Sequence, residues 1–104
     1  MRDKVFRYIG LAARGRMVAI GYNTCVFSMS KSKVKLIILA EDLSQNSVEK
    51  IKSEADRKGI PVRVYGNKQE LSHMTGKENS GIFGITDANL SKAILEEIDH
   101  MQSV

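Results

Sequence analysis

Residues 34–40 read Val34-Lys35-Leu36-Ile37-Ile38-Leu39-Ala40, six apolar positions out of seven with no polar/apolar alternation. The run has strand length and falls far short of the roughly 20 residues that a membrane-spanning helix needs. A strand that is apolar on both sides must be covered on both sides. The stretch therefore predicts the central strand of a sheet held between layers of helix.

Reading onward, Glu41-Asp42-Leu43-Ser44 turns the chain. Residues 45–58 then carry Val48, Ile51 and Ala55 at helical spacing, with charged residues on the opposite side. Gly59 ends that helix and Pro61 prevents its resumption. Val62-Arg63-Val64-Tyr65 predicts a strand. Asn67-Lys68-Gln69-Glu70 has the form of a capping box and opens a short helix ending at Gly76. A polar loop over 77–80 leads to a strand at Gly81–Thr86. Asp87 then caps a last helix whose buried stripe is Leu90, Ile94, Ile98 and Met101. Reading backward, residues 2–14 predict a helix through Val5, Ile9 and Ala12, with Phe6 and Ala13 beside the stripe and Gly15 as its stop. Met17–Ile20 predicts a strand. Residues 23–31 predict a second helix with Asn23 as candidate N-cap. The order α-β-α-β-α-β-α-β-α implies an α/β fold, a three-layer α/β/α sandwich with a four-stranded mixed sheet. Its 104 residues fit a single domain over 1–104.

Composition narrows the function. Cys25 is the only cysteine, so no internal disulfide and no cysteine-based metal cluster can form. His73 and His100 are the only histidines, and the sequence calls for no metal and no cofactor. Met1-Arg2-Asp3-Lys4 begins without the apolar stretch of a secretion signal, which predicts a cytoplasmic protein without a membrane anchor. Net charge is +4, unevenly spread. Residues 1–35 hold eight basic residues against the single acid Asp3, a charge of +7; residues 36–104 hold eight basic against eleven acidic, a charge of −3. Such asymmetry fits a basic face and a polyanionic partner, although a solvated, mildly basic surface gives the same numbers.

Signatures of catalysis are scarce. Gly76-Lys77 is followed by Glu78 where a phosphate loop needs Ser or Thr, and residue 71 is Leu where the loop's first glycine belongs. Cys25 with His73 or His100 is the one conceivable nucleophile pair, yet a lone cysteine is more often a small core residue. Glu41-Asp42 at a strand end reads as a helix cap or a partner for a nearby base. The sequence points to a protein that is not an enzyme.

Two basic clusters stand out: Arg14-Gly15-Arg16 after the first helix, and Lys31, Lys33 and Lys35 around the turn after the second. If the fold brings them together they suit phosphates. Between them, Gly21-Tyr22-Asn23-Thr24 places a helix N-terminus directly after a glycine. That end offers unpaired backbone N–H groups and the positive end of the helix dipole. Asn23 either caps this helix or offers donor and acceptor to a base edge.

Gly21-x-Asn23, Lys35-Leu36-Ile37-Ile38-Leu39-Ala40-Glu41-Asp42, Gly59-Ile60-Pro61-Val62, Lys68-Gln69-Glu70-Leu71 and Gly76-Lys77 together resemble the L7Ae/L30e ribosomal protein superfamily of kink-turn RNA binders. Ile9-Gly10-Leu11-Ala12-Ala13-Arg14-Gly15-Arg16 and Ile85-Thr86-Asp87 are most similar to its bacterial YlxQ-type branch. The resemblance covers nearly the whole chain. It implies a three-layer α/β/α domain that binds a sharply bent RNA stem with tandem G·A pairs, the start of the second helix entering the groove there. By position, Asn23 matches the family's base-reading Asn, Ile60, Pro61 and Val62 match a stretch ending at the edge of the site, and Lys77 and Asn79 fall in a loop covering an extruded nucleotide. Two positions depart from the family's N-E-x-x-K: Thr24 stands for the Glu and Phe27 for the Lys. Thr24 keeps a polar group at a base edge. Phe27 removes a charge; it either packs into the core or, if exposed, builds an apolar patch.

The expectation is binding to structured RNA, kink-turn-like or ribosomal, with Gly21, Asn23 and Thr24 in the groove and Arg14, Arg16, Lys31 and Lys33 on phosphates. The ribosome is then a candidate partner, and nothing in the sequence demands more than a monomer. The alternative is a protein-interaction module on the same fold, with exposed Phe27 as its mark.

Overall fold

The computed structural model describes residues 4–77 and 80–102. The expected alternation is present: α1 (Lys4–Arg14), β1 (Val18–Ile20), α2 (Tyr22–Ser30), β2 (Leu36–Leu39), α3 (Gln45–Lys58), β3 (Val62–Val64), α4 (Lys68–Thr75), β4 (Ile82–Ile85) and α5 (Ala88–Gln102). The sheet runs in the order β1-β4-β2-β3. β4 enters between β1 and β2 antiparallel to both, while β2 and β3 are parallel, so the sheet is mixed. β2 has a strand on each side, as its apolar run requires; β4, the last strand in the chain, is the other inner strand.

Alternation along β2 divides the core into two halves. Leu36, Ile38 and Ala40 join Phe83 and Ile85 on one face, where Val5, Phe6 and Ile9 of α1, Leu71 of α4 and Ile94 and Ile98 of α5 cover them. Ile37 and Leu39 join Ile82 on the other, under Cys25 and Met29 of α2 and Ile51 and Ala55 of α3. All four β2 side chains are fully buried. Removing each from water is worth roughly 1.5–3 kcal/mol, which makes this strand the spine of the molecule. At the edge strand, Arg63 grips Asp99 of α5 with two hydrogen bonds of 2.7 and 3.1 Å. Those bonds hold the Asp99 carboxyl below its ordinary range.

The helix ends show their chemistry. Ser44 Oγ accepts from the Ser47 N–H at the start of α3, and Gly59 closes that helix in the left-handed conformation. Asn67 and Glu70 form a reciprocal capping box on α4. Asp87 Oδ2 accepts from the Leu90 N–H at 2.8 Å at the start of α5. Two expectations are corrected. α2 is capped two residues early, by Gly21 rather than Asn23, and runs from Tyr22 to Ser30. Met101 lies exposed beyond the buried stripe of α5, whose inner face instead includes Ser91. Of the two places the sequence left open for Phe27, core or surface, it takes the surface: it is 63% exposed. The α2 residues turned toward the sheet are Tyr22, Cys25, Val26 and Met29, and Phe27 falls off that i, i+3, i+4, i+7 stripe.

Candidate functional site

The strand directions sort the connecting loops between two ends of the sheet. At one end lie the last residues of β1, β2 and β3 and the first of β4, joined by backbone hydrogen bonds from Gly21 to Ile82, Ala40 to Gly81 and Glu41 to Gly66. At the other lie the first residues of β1, β2 and β3 and the last of β4, joined by bonds from Thr86 to Met17, Lys35 to Ile85 and Ile37 to Pro61.

The first end holds the α2 N-terminus. Gly21 occupies φ 95°, ψ 160°, a backbone region that is essentially glycine-only. The chain can then pass straight from β1 into α2, and no side chain caps the helix. The free N–H groups of its first turn and the positive pole of the helix are left uncovered, an arrangement that receives anions. Asn23 and Thr24 are exposed beside this opening. Because Gly21 takes the cap position, the Asn23 amide is not used as a cap and bonds no described residue. Three cations belong to elements at this end of the sheet. Lys50 of α3 has its Nζ 5.7 Å from the centre of the Tyr22 ring. Lys68, at the start of α4, gives its backbone N–H to Asp42 Oδ1 at 2.9 Å. Its alkyl stem runs so close to Gly81 that a Cβ there would meet Lys68 Cε at 3.3 Å. Lys77 is exposed in the loop that returns to β4. Asn79 of that loop lies outside the described residues.

The second end holds Arg14, Arg16, Lys31, Lys33, Ile60, Pro61 and the start of β3 at Val62. The turn after α1 and the turn after α2 bond to neighbouring residues at the end of β4, from opposite sides. Met17 and Lys35 are therefore about two strand spacings apart, ~10 Å, and the two basic clusters share one end of the molecule, on opposite faces of the sheet. Ile60 and Pro61 line a hollow of about 310 Å³ there with Ser32, Lys35 and Lys58; they do not border the α2 N-terminus. α2 joins the two ends, its nine residues spanning ~13 Å. Along its outer side run Asn23, Thr24, Phe27, Ser30 and Lys31, all exposed.

A family model described as the ribosomal protein L7Ae/L30e/S12e/Gadd45 family matches residues 3–95. This chain belongs to that family. Its relatives include the RNA-binding protein YlxQ of Enterococcus faecium, 29% identical over 98 residues and covering 94% of each chain. YlxQ of Bacillus subtilis (strain 168) is 26% identical over 94 residues, covering 90% of this chain and 94% of its own. Among solved structures, a protein of unknown function from Bacillus halodurans C superposes with a TM-score of 0.90 at 32% identity, over 94% of this chain and 99% of that one. A 15.5kD RNA binding protein of Giardia lamblia shares the fold at TM-score 0.79 and 16% identity, over 96% of this chain and 92% of its own.

In this L7Ae/L30e-family chain Cys25 is no candidate nucleophile. It is fully buried and its Sγ donates to the Ala19 carbonyl at 3.2 Å. Burial pushes its pKa up to about 12, against a smaller lowering by the Gly84 amide. The sheet separates it from His73 of α4 and His100 of α5, whose helices contribute to the opposite half of the core. A thiol reagent at neutral pH is expected to leave Cys25 unmodified in the native protein and to titrate one thiol per chain in denaturant; rapid native labelling would contradict this placement. Asp42, read as a cap for the next helix, instead supports α4. Among the described residues no group of three or more His, Cys, Asp or Glu can hold a metal ion, and no helix is long and apolar enough to cross a membrane. Lys50 and Lys68 are the residues that sequence reading missed. Each belongs to a helix remote in sequence from Gly21, and no local pattern marks it.

Proposed function

We propose that this chain binds structured RNA, kink-turn-like or ribosomal, by seating the N-terminus of α2 in a groove. The observation that carries this is the uncapped start of α2, with Asn23 exposed and unused beside it, in a member of this ribosomal protein family. The named relatives that bind RNA support it. The amide of Asn23 presents donor and acceptor to a base edge and Thr24 adds a hydroxyl. The first-turn N–H groups, Lys50, Lys68 and Lys77 meet phosphates close by. At the other end of α2, Lys31 and Lys33, with Arg14 and Arg16, hold a second stretch of backbone. The proposed unit is a monomer acting in the cytoplasm.

Backbone amide shifts on titration with a kink-turn RNA test the placement. Residues 21–25 are expected to move most. Shifts confined to residues 14–16 and 31–35 would overturn it.

The exposure of Phe27 favours a second reading, a protein-binding face. Against it, the other exposed large hydrophobic side chains among the described residues are Leu11, Val64 and Met101, on α1, β3 and α5. None of them lies on α2 or α3, so Phe27 is not the centre of an apolar patch of the size that marks protein interfaces.

A further inference from the structure

Phe27 sits midway along the exposed side of α2, with 63% of its surface in water. Its neighbours on that side, one helical turn away in each direction, are Asn23, Thr24, Ser30 and Lys31. All four are polar and exposed. Lys31 places its ammonium 5.4 Å from the centre of the Phe27 ring, within cation–π range. The Ser30 hydroxyl is engaged within the helix, donating to the Phe27 carbonyl. The helix has no structural use for this ring, because Tyr22, Cys25, Val26 and Met29 already anchor it to the core.

A lone aromatic ring framed by polar side chains and a cation differs from a protein-binding patch, which needs contiguous apolar area. It matches what an unpaired nucleotide requires. Every base has a π-face that stacks on an aromatic side chain, and a cation beside the ring meets the phosphate of the same nucleotide.

We propose that Phe27 is a stacking platform for one unpaired base of the bound RNA and that Lys31 holds that nucleotide's phosphate. The proposal rests on the RNA-binding reading above and specifies it. Between the α2 N-terminus and the basic end, the chain selects RNA that offers an unstacked nucleotide at mid-helix. Lys31 lies over one face of the ring and leaves the other to the base; the contact pre-orients both side chains before RNA arrives, so little side-chain freedom is lost on binding.

Two RNA hairpins test this, one with a single bulged adenosine and one fully paired. Affinity and its salt dependence are measured for the unaltered protein and for Phe27→Ala, Phe27→Leu and Phe27→Tyr. Phe27 is exposed, so all three variants are expected to keep the native melting temperature. Loss of one base stack weakens binding by about 5- to 150-fold. Ala and Leu are expected to show that loss on the bulged hairpin with the salt slope unchanged. Tyr is expected to match Phe, and the paired hairpin to bind all four proteins alike. Equal affinity of Phe27→Ala and the unaltered protein for the bulged RNA would overturn the proposal. So would full retention by Phe27→Leu, which would make the contact merely apolar. Failure of the unaltered protein to bind either hairpin would strike the RNA-binding reading itself, and this proposal with it.

Discussion

Asn23→Ala is expected to weaken binding to a kink-turn RNA by about 5- to 150-fold while leaving affinity for a straight duplex of equal length almost unchanged. A side-chain amide that pairs two-pronged with a base edge is worth about 1–3 kcal/mol of discrimination, and that range sets the fold-change. The structure makes the loss specific to recognition. Gly21, not Asn23, is the N-cap of α2, and the Asn23 side chain bonds no described residue. Alanine also favours helix, so the folded state does not suffer. Paired binding curves on the two RNAs, with the melting temperature as control, measure the effect. Equal losses on both RNAs would remove Asn23 from base reading. A lowered melting temperature would show that its side chain supports the helix after all.

Lys31→Gln with Lys33→Gln is expected to act in the opposite way, on every RNA alike. Both lysines are exposed in the turn after α2, at the far end of the sheet from Asn23. Each phosphate contact contributes about 0.7 to 0.9 to the slope of log affinity against log salt. Losing two flattens the slope by roughly 1.4 to 1.8 and weakens binding about 15- to 30-fold near 0.15 M salt. Bent and straight RNAs should lose in the same proportion, because charge carries no sequence information. An unchanged slope would mean that this end of the molecule does not meet phosphate.

The two variants separate roles that the sequence could not place in space. β2 was legible because a strand buried on both faces has to be apolar throughout, and the stops at Gly59 and Gly76 follow from the left-handed conformation both adopt. The cap of α2 was misread by two residues for a reason in its chemistry. Asn is a preferred cap, but the sharp passage from β1 requires a conformation open to glycine, and Gly21 takes the position. The exposure of Phe27 could have been read from the stripe of Tyr22, Cys25, Val26 and Met29, which leaves it outside. The division of the candidate site between two ends could not. It depends on β4 inserting antiparallel between β1 and β2, a long-range pairing with no local signal. The same pairing brings Lys68 beside Gly81 and parts Ile60, Pro61 and Val62 from Asn23.

In the proposed mode of binding α2 is a ruler about 13 Å long, with the end proposed to read bases, an aromatic ring at its middle and a cationic end. Its buried side fixes it rigidly to the sheet through Cys25 and Met29. The geometry presented to RNA is therefore set by the core rather than by a mobile loop, which reduces the ordering cost on binding.

The most direct test of this account is a salt titration of binding to a kink-turn RNA and to a straight duplex of equal length. The account predicts tighter binding to the bent RNA at every salt concentration, with the preference persisting at high salt where backbone contacts fade. Equal affinities with the same steep salt slope would contradict it, reducing the contact to a basic surface and removing the α2 N-terminus from recognition.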